Sequence, residues 1–273
     1  MLVEEIALSI EGLETAKLQT YVRENSPEID PHKKRPAVII CPGGGYEFLS
    51  DREAEPVALE LVGRGYQAFV LTYSVAPAVF PTAVVQLAAA VAHVRSNCEK
   101  YATDPDKIVV AGFSAGGHLA ASLGVFWQQE LFSAYLPGAN EQWQPNALLL
   151  SYPVISSQAY GHQDSFKNLL GDQYAAQKAE LSLEDQVTAA VPPTFIWHTM
   201  ADDLVMVENS LSFVKALLEK EVPTEFHAFM RGGHGLSLGT AETQIGDGYG
   251  IEKNIQLWPQ LFDNWLSCLF EKE

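Results

Sequence analysis

The stretch Lys107-Ile108-Val109-Val110-Ala111-Gly112-Phe113-Ser114-Ala115-Gly116-Gly117-His118-Leu119-Ala120-Ala121 decides how this chain is read. An apolar, β-branched run stops at a glycine, one hydroxyl stands among small residues, and a helical Ala/Leu pattern follows. That is strand, sharp turn and helix, with Gly-x-Ser-x-Gly at the turn. A serine at the apex of so tight a turn is forced into strained backbone angles, while Gly112 and Gly116 leave room for the strand and helix to pass closely. The strain lifts the Ser114 hydroxyl clear of the sheet, within reach of a base and of a substrate carbonyl.

The rest of the chain supports a strand-helix alternation around this turn. Runs at 37–41, 68–73, 108–111, 147–152, 194–198 and 224–229 read as buried strands, preceded by a strand pair at 4–10 and 17–22. Helical periodicity covers 52–63, 83–98, 117–126, 207–220 and 251–270. Such alternation predicts an α/β fold with a mainly parallel central sheet covered by helices on both faces. The 273 residues, 47% of them hydrophobic, suffice for a large core,. No linker composition interrupts them, so 1–273 reads as one domain. Two stretches, 127–145 and 153–193, fit no strand-helix unit and are expected to be cap or pocket-lining insertions at the ligand-binding end of the sheet.

Composition narrows the partners. A formal charge of −17 excludes the basic footprint that nucleic acids and anionic membranes require,. Cys41, Cys98 and Cys268 have neither a disulfide framework nor a zinc spacing,. Cys41, at a strand end near Ser114 in the expected fold, reads as a buried structural thiol. The first residues, Met1-Leu2-Val3-Glu4-Glu5-Ile6, show no signal-peptide pattern, and no apolar run reaches membrane-spanning length,. A cytoplasmic location is expected.

A serine hydroxyl is a poor nucleophile alone, so the turn calls for a base, an orienting carboxylate and an oxyanion hole. The acid is expected in Phe195-Ile196-Trp197-His198-Thr199-Met200-Ala201-Asp202-Asp203-Leu204-Val205, a strand running into a short acidic loop. Asp202 is the first choice and Asp203 the fallback. His234, in Arg231-Gly232-Gly233-His234-Gly235-Leu236, is the expected base, because glycines on both sides let a loop carry the imidazole over the sheet edge. His118 reads as a structural polar residue, His198 as a locally bonded one and His227 as packing. His32, His93 and His162 have no chemical neighbours in sequence. The run Ile39-Ile40-Cys41-Pro42-Gly43-Gly44-Gly45-Tyr46 offers bare backbone after a strand. The Gly44 and Gly45 amides, with that of Ala115, are the expected oxyanion donors. Bulky groups in or beside loops, namely Tyr46, Trp127, Trp143, Tyr152, Tyr160 and Phe166, are expected to narrow an acyl pocket, with Tyr46, Trp127, Tyr152 and Phe166 lining it.

Taken together, the elbow, the Pro-Gly-Gly-Gly-Tyr loop, the Asp-x-x-Val loop and the Gly-His-Gly loop resemble the α/β-hydrolase superfamily. Within it the chain is similar to small bacterial carboxylesterases and acetyl esterases of sugars or xylan, near the hormone-sensitive-lipase group. The likeness runs from about residue 36 to the C-terminus and includes Asp51-Arg52-Glu53-Ala54-Glu55-Pro56 and Val207-Glu208-Asn209-Ser210. One departure is Pro42, which stands where the hormone-sensitive-lipase group has the histidine of His-Gly-Gly-Gly. The resemblance implies a serine carboxylesterase for short-chain acyl esters, with acetylated carbohydrates among its substrates and no metal or organic cofactor. Other readings on the same fold are a peptidase, a thioesterase or a non-catalytic ligand-binding protein. All three catalytic side chains being present speaks against the last. Self-association to a dimer or tetramer is left open.

Overall fold

Residues 1–246 and 248–270 are described in the computed structural model of the chain. Among them the apolar runs become β1 (Glu5–Leu8), β2 (Ala16–Tyr21), β3 (Arg35–Cys41), β4 (Gln67–Thr72), β5 (Thr103–Phe113), β6 (Ala147–Ser151), β7 (Thr194–Thr199) and β8 (Thr224–Phe229). They form one sheet in the order β1-β2-β4-β3-β5-β6-β7-β8. The pairs β1/β2 and β2/β4 are antiparallel, and every other neighbour pair is parallel.

The helices are α1 (Glu55–Gly63), α2 (Thr82–Ser96), α3 (Cys98–Tyr101), α4 (Ala115–Phe126), α5 (Gln163–Leu170), α6 (Tyr174–Gln177), α7 (Glu208–Glu219) and α8 (Trp258–Phe270). Two of them begin later than periodicity suggests. Pro56 and Pro259 are the second residues of α1 and α8. A proline ring is tolerated only in a helix's first turn, so each helix starts just ahead of its proline.

Why the strands are apolar throughout follows from the two faces. Successive residues of β3 point to opposite sides. Ala37, Ile39 and Cys41 join the core under α2 and α4, while Val38 and Ile40 join the core under α1 and α8. The second core is aromatic: Trp197 stacks on Trp258 with ring centroids 5.8 Å apart, and Phe195 meets Phe262 edge to face. Burying each such side chain contributes about 1.5–3 kcal/mol.

The chain leaves β3 toward β4 on one side and then returns to place β5 on the other. The strand order therefore reverses between β3 and β5, where open parallel sheets leave a crevice at the strands' C-terminal ends. Cys41 pairs with Gly112 there, so the glycine loop and the Ser114 turn emerge side by side.

The two insertions have different fates. Residues 153–193 follow β6 at the crevice end and contribute α5 to the rim. Residues 127–145 do not cap the crevice, contrary to expectation. They follow a helix rather than a strand, and α4 has already carried the chain to the opposite end of the sheet. Arg95 ties this segment down by donating to the carbonyls of Gln142 (2.6 Å) and Gln144 (2.8 Å). The Asn146 amide nitrogen donates to Ile108 O at the start of the core of β5 (2.8 Å). Among the described residues no helix is long and apolar enough to cross a membrane.

Candidate active site

Ser114 adopts φ 53° and ψ −119°, a conformation few non-glycine residues accept,. The surrounding glycines explain how it persists. A Cβ on Gly112 would sit 2.1 Å from Gly116 O, and one on Gly116 would sit 2.1 Å from Cys41 O. Only bare backbone permits that approach. Backbone bonds from Ser114 N to Ser151 O (3.0 Å) and from Val154 N to Ser114 O (3.0 Å) hold the turn from β6.

The structure brings the three predicted side chains into one hydrogen-bonded line. Asp202 Oδ2 accepts from His234 Nδ1 at 2.7 Å, and Ser114 Oγ donates to His234 Nε2 at 2.7 Å. With its proton held at Nδ1, the imidazole presents a lone pair at Nε2, the tautomer a base needs. Asp202 is buried, and Asp203 beside it is exposed. Burial alone would raise the Asp202 pKa. The hydrogen bonds from His198 and His234, the charge of His234 and the Val205 amide outweigh it and hold the carboxyl well below the usual carboxylate range,. His198 thus does more than bond locally: Nε2 donates to Val205 O (2.8 Å) and lies 3.3 Å from Asp202 Oδ2.

The glycine loop lies against this line. Gly44, Gly45 and Tyr46 have φ of 130°, 65° and 57°, a tight turn that exposes successive backbone N–H groups. Among the described residues no protein group accepts from the amides of Gly44, Gly45 or Ala115. The Gly43 amide, by contrast, donates to Glu53 Oε2 at 2.8 Å.

A cavity of about 490 Å³ opens over Ser114, His234, Gly44 and Gly45. Its polar lining includes Glu47, Arg52, Glu53, His162, Asp164 and Asn168, and its apolar lining Phe48, Leu204, Ile245 and Tyr249. The aromatic residues expected to line it lie elsewhere. Tyr46 and Phe166 face a separate apolar void with His118, Val154, Ser165 and Leu169, too tight to hold water. Trp127 is buried in the core, its Nε1 donating to Ala190 O, and donates nothing to the cavity. Trp143 packs on Phe132 at the far end of the sheet. Tyr152 lies behind the histidine, its ring centroid 5.2 Å from that of His234. Tyr160 is half-buried, and its carbonyl accepts from Asn209. These groups were expected in the pocket because they sit near loops in sequence, but large apolar side chains near loops fold inward as readily as outward.

His162 is one of several cavity residues that the sequence does not single out. It heads α5, bonds through Nδ1 to Ser165 Oγ (2.8 Å) and lies at the cavity wall. Burial, followed by the charge of His234, lowers its pKa. Nothing around it in sequence signals this, because its neighbours in the cavity beyond α5 come from five other segments.

His118 is structural, as expected. Its Nε2 donates to Leu181 O (3.0 Å), so Nδ1 accepts from the Tyr46 hydroxyl (3.0 Å). Burial pulls its pKa down to about 4, against an ordinary 6.5, partly offset by the Leu181 bond. The unfolded chain therefore binds this proton more readily between those values, and stability rises with pH across that window. The contribution is complete above 6.5 and is lost as pH falls toward 4. The wild-type chain should lose about 2 kcal/mol more than His118→Gln between pH 7 and pH 5. Urea unfolding at both pH values measures this, and equal losses would refute it.

The parallel sheet, the strained turn after β5 and the loops after β3, β7 and β8 define an α/β-hydrolase fold. The sequence profile of the BD-FAE family matches residues 18–217, and the chain belongs to that family. It is 38% identical over 214 residues to endo-1,4-beta-xylanase B of Butyrivibrio fibrisolvens, a match that covers 77% of this chain and 34% of that protein. The chain spans a third to a half of the curated relatives it first matches. Among solved structures it is similar to an acetyl ester-xyloside bifunctional hydrolase from Caldicellulosiruptor lactoaceticus, with 35% identity, TM-score 0.79 and coverage of 94% and 89% of the two chains. The carboxylesterase Cest-2923 from Lactobacillus plantarum WCFS1 is also similar, with 30% identity, TM-score 0.85 and 98% of each chain covered.

Proposed function

We propose that this chain is a serine carboxylesterase acting on short acyl esters, acetylated carbohydrates among them. The observation that carries this reading is the Ser114–His234–Asp202 line, at 2.7 Å for each link, beside backbone amides that have no acceptor among the described residues. In this mechanism His234 Nε2 takes the Ser114 proton as Oγ attacks the ester carbonyl, and Asp202 stabilises the imidazolium. The carbonyl oxygen becomes an oxyanion on the amides of Gly44, Gly45 and Ala115. The intermediate collapses, His234 passes the proton to the departing alkoxide, and an acyl-enzyme remains. Water, deprotonated by the same imidazole, then attacks the acyl carbon and regenerates the serine. No step draws on a metal or organic cofactor.

The cavity lining supports the alcohol half of the proposal. Glu47, Asp164, Asn168 and His162 can bond hydroxyls, while Phe48 and Tyr249 offer flat apolar surface to a sugar's C–H face,. The similar acetyl ester-xyloside hydrolase from Caldicellulosiruptor lactoaceticus points the same way. For the acyl half, Tyr46 and Phe166 close on a separate void too tight for water instead of extending the cavity, which favours small acyl groups. Its three cysteines are unpaired, which accords with a cytoplasmic location,.

A buried methylene contributes about 0.8 kcal/mol only while the chain fits. Turnover of p-nitrophenyl esters should therefore peak between acetyl and butyryl and fall by octanoyl, without activation at an oil–water interface. Acetylated xylo-oligosaccharides assayed alongside test the carbohydrate part. Rates climbing steadily to dodecanoyl, or efficient hydrolysis of emulsified triglyceride, would sink the short-chain reading.

A further inference from the structure

The Asp51-Arg52-Glu53-Ala54-Glu55-Pro56 segment takes no part in the proposed chemistry, yet its central carboxylate lies beneath the catalytic loops. Glu53 is only 3% exposed. Its Oε2 accepts from the Gly43 amide at 2.8 Å, and its Oε1 accepts from the Tyr152 hydroxyl at 2.7 Å. That hydroxyl oxygen in turn accepts from the Ser237 amide at 2.9 Å. Ser237 lies three residues past His234, and the Tyr152 ring packs edge-on against the His234 ring. One buried carboxylate is thus joined on one side to the glycine loop and on the other to the histidine loop.

The geometry points to Glu53 and Tyr152 as paired positioning residues that lock the oxyanion loop and the His234 loop into a single catalytic register. Glu53 fixes the Gly43 peptide by taking its amide. The next two amides, Gly44 and Gly45, are then turned away from the carboxylate and left for the substrate. The fit is tight, since a Cβ on Gly43 would lie 2.7 Å from Glu53 Oε2 and 2.9 Å from Ser114 Cβ. Tyr152 is held at φ 38°, a conformation a tyrosine keeps only when its surroundings over-determine it,. The Tyr152 amide donates to Trp197 O (2.8 Å), and the ring is wedged against Phe113 and Trp197. Burial and then the Glu53 charge raise the phenol's pKa well above its ordinary value, so it remains a hydrogen-bond donor to Glu53,. Neither side chain reaches the reacting atoms; both act through backbone they hold.

This assignment rests on the ester-hydrolase reading, and the test separates the two. The full chain is compared with Glu53→Gln, Tyr152→Phe, the double variant and Ser114→Ala. The readouts are p-nitrophenyl acetate kinetics and inhibition by an aryl trifluoromethyl ketone, which forms a tetrahedral adduct on a serine nucleophile. In Glu53→Gln an amide NH₂ or a lone carbonyl cannot serve both neighbours as the carboxylate does. Tyr152→Phe deletes the bridge but keeps the ring. Each single variant should lose at least about tenfold in kcat with KM within threefold, and the ketone's inhibition constant should rise by a similar factor. The double variant should be no worse than the weaker single by more than threefold, because the pair acts as one unit.

A merely structural role would lower thermal stability without weakening the tetrahedral adduct more than the substrate. Losses under tenfold, a change confined to KM, or a double variant at the product of the two singles would overturn the coupling. If Glu53→Gln does not fold, Tyr152→Phe decides by the same kcat and inhibitor criteria. Absence of turnover on any aryl ester by the wild-type chain would defeat the ester-hydrolase reading itself, and more than a few per cent of activity in Ser114→Ala would move the nucleophile elsewhere. An inactive Ser114→Ala beside wild-type-like Glu53→Gln and Tyr152→Phe would defeat only the coupling.

Discussion

Ser114→Ala should lower kcat on aryl acetates by at least about 10⁴-fold and abolish covalent labelling by a fluorophosphonate. The residue heads α4 at φ 53°, donates to His234 Nε2 and borders the cavity. Removing Oγ leaves the imidazole with nothing to deprotonate and the cavity with no nucleophile. The free amides of Gly44, Gly45 and Ala115 would still bind a carbonyl, which explains why residual catalysis over water is expected. Stability should change little. Alanine carries the same Cβ and hence the same backbone strain as serine, and the lost hydrogen bond contributes about 1 kcal/mol. Steady-state kinetics, mass spectrometry of the labelled protein and a thermal melt together make the check. A pure variant retaining more than a few per cent of turnover would move the nucleophile elsewhere.

Asp202→Asn should cost about 10³–10⁴ in kcat, whereas Asp203→Asn should stay within about twofold of wild type. In the native chain Asp202 Oδ1 accepts from the Leu204 and Val205 amides at 3.1 and 2.9 Å, which leaves Oδ2 for His234. An asparagine keeps its oxygen on those two amides and so turns its NH₂ toward the imidazole. His234 Nδ1 must then accept, the ring proton moves to Nε2, and the base no longer has a lone pair facing Ser114. His198 aggravates the mismatch, because its Nε2–H lies 3.3 Å from the same Oδ2 and would face the new NH₂. Asp203 is exposed and makes no such contact. A ranking in which Asp203→Asn is the more damaged variant would transfer the orienting role to it. Because the native Asp202 carboxyl titrates below the usual range, an acid limb near neutrality in the pH–rate profile would belong to another group.

The strand-helix alternation, the Gly-Ser-Gly turn and the glycine-flanked histidine are legible along the chain because each is a local pattern. Apolar runs of strand length, helical periodicity and the need for bare backbone at a sharp turn involve residues within a few positions of one another. The order serine, acid, histidine could also be read, since each loop follows a recognisable strand. Where a segment belongs relative to the sheet was harder. Residues 127–145 resemble a cap in composition, but the helix before them reverses the chain's direction and carries them to the wrong end.

Tertiary structure alone decided what fills the site. Tyr46, Trp127, Tyr152 and Phe166 turn inward because burying their rings gains more than leaving them at a rim. The cavity instead takes His162, Asp164 and Asn168 from α5, Arg52 and Glu53 from the turn before α1, and Tyr249 from the loop before α8. These residues are separated by scores of positions, and their meeting depends on where the strand order reverses between β3 and β5. Periodicity carries no record of that reversal, so the sequence determined the catalytic line by local chemistry, while the packing of distant segments determined its walls and its supports.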